Sequence, residues 1–365
     1  MSSNGSGGSV SLGPGALKDA VSGTGQSIVI VQTYAKNITT QPIITGLDSE
    51  IPNLSTHQQT AVNHANDWLT TYQPQILQVQ SDLLSFANGF NAYYQPLLTL
   101  AQQIQNGDSS KVNEFIQGLQ ELTNQITSKD NEVKNVISDL NTFSTELGSD
   151  VSNFNTDAQT AQNTIVGDNG TLSKLNDQLD SLNSAMSKDN AMIAGGAVID
   201  VVGALMICVG ALAEFETGGL STALILAGIG VIAGGSTMIG LAAKNLSDSQ
   251  DKYGQVSAEI NSINASLTVL KTVEAQLNNF STEATAAYNA VVSMDTGYQT
   301  LGTNFTALIN DMQNDISATS PFLVAELQQA YADWGDVQTQ IENIQQYGNI
   351  PTTNQTVSQY LAAAA

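Results

Sequence analysis

Apolar residues recur every seven positions along two long stretches of the chain, one on each side of a central apolar segment. The first stretch covers residues 111–188 and the second covers residues 245–317. Such a sustained repeat predicts long amphipathic helices that pack as coiled coils, each on the order of 100 Å long at about 1.5 Å per residue. The leading columns are Leu119, Ile126, Val133, Leu140, Leu147, Phe154 and Ala161 in the first stretch, and Val256, Ile263, Leu270, Leu277, Ala284, Val291, Tyr298, Phe305 and Met312 in the second.

Shorter apolar patterns predict further helices around these two. One falls within residues 17–44, a second within residues 54–105, and the last covers residues 322–347 after an N-cap at Ser320. The pattern therefore predicts an all-α protein. Its architecture is an elongated bundle of long amphipathic helices, with a hydrophobic hairpin head inserted between the two longest helices.

The same patterns divide the chain into four parts. Residues 1–15 are polar and rich in glycine, which predicts a disordered N-terminus. Residues 16–188 and 245–350 are expected to form a helical-bundle tail domain, and residues 189–244 the head. Residues 351–365 are expected to be a loose C-terminal tail.

The head holds two apolar runs, Ala191–Ala213 and Leu220–Ala243, separated by a short polar turn. A bilayer core of about 30 Å is crossed by roughly 20 residues of apolar helix, so each run is long enough to span it. We therefore predict a membrane-inserting helical hairpin, with a buried hairpin in a soluble core or a β-tongue as alternatives. The residues expected to insert are Ala191, Ile193, Val198, Val202, Leu205, Met206, Val209, Leu212, Leu224, Leu226, Ile229, Val231, Ile232, Met238 and Ile239.

We predict further roles for small, polar and charged residues within and around the hairpin. Asp200 is the only charge in either arm, and we interpret it either as facing a lumen or subunit seam, or as a tolerated protonated or paired group. The glycines expected to allow close helix packing are Gly196, Gly203, Gly210, Gly230 and Gly234. The predicted tip of the hairpin is Glu214, Phe215 and Glu216, and the hinge candidates are Gly167, Gly170, Lys188 and Lys244.

Charge restricts the partners. The formal net charge is −23, and only 10 residues are basic, so the chain has neither the basic surface that nucleic acid requires nor a polybasic patch for anionic lipid. Attachment to a membrane would therefore have to be hydrophobic. Cys208 is the single cysteine, which excludes an intrachain disulfide.

No arrangement of residues in the sequence indicates catalysis. The two histidines, His57 and His64, fit one helix face, and we interpret them as structural because no neighbouring residues complete a metal site. There is no nucleophile elbow and no phosphate-binding loop, since the paired glycines lie inside apolar runs. We predict no enzyme, no metal and no cofactor.

A bundle of long helices divided by the segment AGGAVIDVVGALMICVGALAEFETGGLSTALILAGIGVIAGGSTMIGLAA resembles the α-pore-forming toxins of the cytolysin A, haemolysin BL and non-haemolytic enterotoxin superfamily. It is most similar in layout to the B component of tripartite toxins, and the similarity covers nearly the whole chain without a short motif. This resemblance implies secretion as a soluble protein, then homo-oligomerisation and insertion at a target-cell lipid bilayer. It also implies partner toxin components of the A and C types. Because the N-terminus lacks the pattern of a signal peptide, we expect secretion without a cleaved signal.

Two questions stay open at this point. The arms are apolar nearly all round, so we hypothesise that another subunit lines the lumen of the pore. The alternative functions are a secretion-system translocator, which also combines coiled coils with an apolar hairpin, and a resident membrane protein with two spans.

Overall fold

The computed structural model describes residues 10–41, 43–188, 206–210, 248–314, 316–345 and 352–356. These residues form seven α-helices and one pair of strands. The helices are α1 (Ala16–Thr40), α2 (Leu54–Asp67), α3 (Gln73–Gln105), α4 (Val112–Ala161), α5 (Thr171–Lys188), α6 (Asp248–Asn314) and α7 (Ile316–Gln345). π-Helical turns at Trp68–Tyr72 and Gln162–Val166 follow α2 and α4, a 3-10 turn at Ser109–Lys111 precedes α4, and the strands are β1 (Met206–Gly210) and β2 (Thr352–Thr356).

The architecture confirms the predicted bundle of long helices. Helix α6 has 67 residues and α4 has 50, which correspond to lengths of about 100 Å and 75 Å. The two pack along each other, α1 packs on α6, and α3 packs on both α4 and α7. All seven members of the leading α4 column are buried, as are those of the α6 column from Ile263 to Met312.

Aromatic side chains join three of these helices at the middle of the bundle. The rings of Trp68 and Phe143 have centroids 5.5 Å apart, and those of Phe143 and Phe280 are 5.8 Å apart. All three side chains are fully buried or nearly so. Trp68 lies in the π-helical turn, where α2 passes into α3, so this turn is fixed by packing against α4 and α6.

Residues 10–15 differ from the prediction of a disordered N-terminus, and residues 1–9 lie outside the described residues. Within residues 10–15, Leu12 is fully buried. Its backbone N–H donates to Oε1 of Glu326 at 2.7 Å, and its carbonyl accepts from Nε1 of Trp334 at 3.0 Å. One leucine in a polar segment gave no periodic signal, yet its burial and these two hydrogen bonds to α7 are sufficient to order the chain before α1.

Two short strands bear on the predictions for the apolar arm and the C-terminal tail. Residues 206–210 form β1, which fits the β-tongue alternative for this part of the arm, and the helical hairpin in a membrane stays a prediction. Residues 352–356, within the tail predicted as loose, form β2. The strands pair antiparallel, with Met206 opposite Thr356 and Gly210 opposite Thr352. A local sequence of Ile, Cys and Val suits a strand as well as an apolar helix, and pairing with a distant segment decides between them.

The start of the last helix also differs. Helix α7 begins at Ile316 rather than after Ser320, and Pro321 lies inside it. None of the helices within the described ranges combines the length and apolar character that a bilayer crossing requires.

The glycines within the long helices provide a matched test of the packing. A Cβ at Gly297 would lie 2.7 Å from Cγ of Leu17, whereas a Cβ at Gly148 would meet no atom within 4 Å. We expect Gly297→Ala to destabilise the protein by about 1–3 kcal/mol, because α1 must move away from α6. Gly148→Ala should stabilise it by about 0.5–1 kcal/mol, since alanine is the better helix former. Urea unfolding of both variants checks this, and equal effects would contradict the α1–α6 contact.

Candidate functional site

Most residues of the predicted inserting hairpin lie outside the described residues. Asp200, the tip at residues 214–216 and the hinge candidate Lys244 are among them. Met206, Val209 and Gly210 are members of β1, and Lys188 is the last residue of α5. The structure describes the part of the bundle to which the predicted hairpin is connected.

The helices on either side of the hairpin are neighbours. Helix α5 ends at Lys188, α6 begins at Asp248, and the two helices pack against each other. The apolar segment is therefore connected to the bundle at both ends through one pair of adjacent helices. Part of it returns to the bundle as β1, which pairs with β2 and contacts α1.

The chain between α4 and α5 departs from helical geometry at the predicted hinge. Helix α4 widens into the π-helical turn Gln162–Val166, and Gly167 then leaves the helix with a ψ of 166°. The N–H of Gly170 donates to the carbonyl of Gly167 at 2.7 Å. A Cβ at Gly170 would lie 2.5 Å from the carbonyl oxygen of Ile165, so this turn requires glycine. That the turn acts as a hinge stays a prediction.

Two histidine–aspartate pairs lie directly before this break. Nδ1 of His57 lies 2.7 Å from Oδ2 of Asp157, and Nδ1 of His64 lies 2.7 Å from Oδ2 of Asp150. Both pairs connect α2 to α4. The carboxylate side chains are only 6% and 2% exposed, whereas those of the histidines are 25% and 19% exposed. Each carboxylate is thus removed from water and depends on its imidazole for a hydrogen bond.

These carboxylates occupy a hydrophobic column of α4. The column of Phe115, Leu122, Val136 and Phe143 continues at the same spacing to Asp150 and Asp157, and it also contains Lys129. Each polar member faces a polar partner on the helix formed by α2 and α3. The third pair is Lys129 with Asp82 of α3, whose Nζ and Oδ1 atoms are 2.8 Å apart.

Our sequence analysis missed the two histidine–aspartate pairs because their members are 86 and 100 residues apart along the chain. A signal was nevertheless present. The histidines are seven residues apart, and so are the two aspartates that interrupt the apolar column of α4. Matching polar interruptions on two antiparallel helices predict a pairing between them.

Burial shifts the pKa values of several carboxyl groups upward. It raises the pKa of Asp150 above its ordinary value, and the hydrogen bond from His64 acts in the opposite direction. Burial also raises the pKa values of Glu274 and Glu283 on α6. The pKa of Asp295 is raised by burial and then by its neighbour Asp130.

Within the described ranges, no three histidine, cysteine or acidic side chains are grouped so that they could hold a metal ion. The polar pairs described above connect α2 and α3 to α4.

Comparison with known families identifies the type of protein that has this arrangement. Residues 11–189, just under half of the chain, match the family model described as Bacillus haemolytic enterotoxin (HBL). This part of the chain is similar to that haemolytic enterotoxin family. The matched residues cover α1 to α5, and thus include the histidine–aspartate pairs and the break after α4.

Solved structures share the fold over nearly the whole length of the chain. A HblL1 toxin component of Bacillus cereus is 20% identical with a TM-score of 0.60, and the match covers 92% of this chain and 97% of that one. Soluble AhlB of the tripartite toxin of Aeromonas hydrophila is 19% identical with a TM-score of 0.58, over 96% and 99%. The AhlB pore is 21% identical with a TM-score of 0.64, over 92% and 98%. No curated protein sequence matches the chain.

The match to residues 11–189 agrees with the resemblance drawn from the layout of the long helices and the apolar segment. The fold of the chain is similar both to a soluble form and to a pore form of AhlB.

The raised carboxyl pKa values predict how stability depends on pH. A carboxyl group whose pKa is higher in the folded state binds its proton more tightly there, so it contributes stability that is lost as the pH rises through the folded pKa. The ordinary values are 3.8 for Asp and 4.5 for Glu, so the affected window begins near these values and extends upward. We expect the protein to resist urea better at about pH 5 than at neutral pH. Glu283→Gln should flatten this dependence, and a stability that rises toward neutral pH would contradict the assignment.

Proposed function

We propose that the chain is a pore-forming toxin subunit that oligomerises on a target membrane and inserts residues 189–244 as a two-helix hairpin. The observation that supports this proposal is the connection of the apolar segment to the bundle through adjacent helices α5 and α6. Two spans that begin and end beside each other can leave the bundle together, with the turn at residues 214–216 entering the bilayer first. Each arm has the length that a bilayer core requires.

The storage of this segment before insertion is part of the proposal. Apolar arms of this size need a covered position while the protein is in water. Strand β1 lies within the first arm and pairs with β2 beside α1, which supports a stored form in which part of the arm is held as a strand. Insertion would then convert residues 206–210 from strand to helix, because a helix satisfies its own backbone hydrogen bonds in lipid.

We assign the chain the role of a B component, with partner components of the A and C types completing a tripartite toxin. AhlB and SmhB, which share its fold, are components of tripartite toxins from Aeromonas hydrophila and Serratia marcescens. The nearly uniform apolar surface of the arms suits a wall against lipid, and a partner subunit with polar arms would line the lumen. Such a protein acts after secretion.

Substitutions inside the arms test the insertion step. We expect Val202→Asp and Leu226→Asp each to lower dye release from phosphatidylcholine vesicles about a hundredfold, because a carboxylate near the bilayer centre costs about 2.5–3.5 kcal/mol on insertion scales. The matched control is Ala286→Asp, at an exposed position of α6. Vesicles are treated with the chain alone and with candidate partner components. Equal release by all three variants and the wild type, or no release by wild type under any mixture, would contradict the proposal.

Asp200 provides a second test, which concerns the assembled pore. We propose that it faces the lumen or a seam between subunits rather than lipid. Asp200→Ala should then reduce assembly or alter the cation preference of the pore, measured by single-channel conductance and reversal potential. Unchanged conductance, selectivity and lysis would exclude this role. Full conductance by the wild-type chain alone would exclude the proposed lumen-lining partner.

A further inference from the structure

The two histidine–aspartate pairs lie where a moving part of the molecule must meet a fixed one. Asp157 is four residues before the end of α4, and the π-helical turn begins immediately after Ala161. Asp150 is two turns earlier on the same face. Their partners His57 and His64 belong to α2, which also packs on α1.

After the histidine–aspartate pairs, the chain is held by different packing contacts. Ile165 is buried, but Val166 is 40% exposed, and Gly167 and Gly170 end the helical geometry. The next helix, α5, packs on α6. The last residues of α4 are therefore held by the burial of Phe154 and Ala161 and, in addition, by the contacts of Asp150 and Asp157 to α2, whereas the residues after 166 depend on packing against α6.

We propose that the His57–Asp157 and His64–Asp150 pairs fix the point at which the chain bends during insertion, by pinning the last turns of α4 to α2. This inference rests on the proposed function. The bend is then confined to residues 162–170, and the bundle below it keeps its packing while α5 and the head move. Without the pairs, α4 would unfold from Ala161 toward its N-terminus, and the bend would extend into the bundle.

The geometry favours a pin made of charges over an apolar contact. A hydrogen bond to a charged group that is largely removed from water is among the stronger side-chain contacts, and it is directional, so it fixes the register of α2 on α4. Two pairs at the same spacing on both helices resist rotation as well as separation. Slippage of either helix would leave a buried carboxylate without a partner, which is strongly unfavourable.

Hydrogen–deuterium exchange of the soluble protein tests this role without a membrane. The variant Asp150→Asn/Asp157→Asn keeps an acceptor for each imidazole but removes the charge. We expect amides 150–161 to exchange about tenfold faster in this variant, approaching those of residues 162–170, with little change in α7. The matched control is Asp82→Asn, which breaks the charged pair with Lys129 between α3 and α4, far from the break.

The inference is wrong if protection of residues 150–161 is unchanged, or if Asp82→Asn exposes them equally. If the double variant unfolds as a whole, which exchange in α7 would reveal, the single variant Asp157→Asn is judged by the same criteria. Dye release from vesicles is then measured for each variant to determine the effect on insertion. Failure of the wild-type protein to release dye would count against the proposed function alone, since the exchange result does not depend on lipid.

Discussion

The structure depends on the burial of one long apolar stripe between α4 and α6. Neither helix has enough internal stabilisation to persist at its length in water, because most helical stability in proteins comes from tertiary packing. The paired columns of Leu, Phe and Val provide that packing over nearly the whole of α4, and α1 packs on a further side of α6. Any segment that changes position must therefore be attached to α4 and α6 without disrupting the packing between them.

Polar residues within the apolar columns determine how the remaining helices are aligned on that pair. An apolar column alone tolerates a shift by one heptad, since the same kinds of side chain meet again. Lys129, Asp150 and Asp157 in α4 remove that freedom, because each has one suitable partner on the helix formed by α2 and α3. Replacing such pairs by apolar residues often stabilises a protein, so we attribute to them alignment rather than strength.

The seven-residue repeat was sufficient to predict the all-α class, the two long helices and their buried columns, because burial of a helix face leaves a periodic trace in the sequence. Contacts that involve single residues leave none, which is why the burial of Leu12 and its bond to Trp334 were missed. For residues 206–210 local composition allowed both a helix and a β-tongue, and a partner strand nearly 150 residues away decides their conformation in the described form. The histidine–aspartate pairs were partly predictable. The seven-residue spacing of the histidines and of the aspartates is visible in the sequence, and only the pairing of the two helices had to be recognised.

The ribbon of β1 and β2 has a mechanical consequence. Antiparallel strands pulled apart across their long direction separate one hydrogen-bonded rung after another, whereas strands pulled along their length must break all rungs at once. A ribbon of two five-residue strands with no third neighbour in the described residues is weak in the first direction. Separation of β1 from β2 across the strands therefore breaks one hydrogen-bonded pair at a time and needs little force. A force along the strands is opposed by all of the inter-strand hydrogen bonds together.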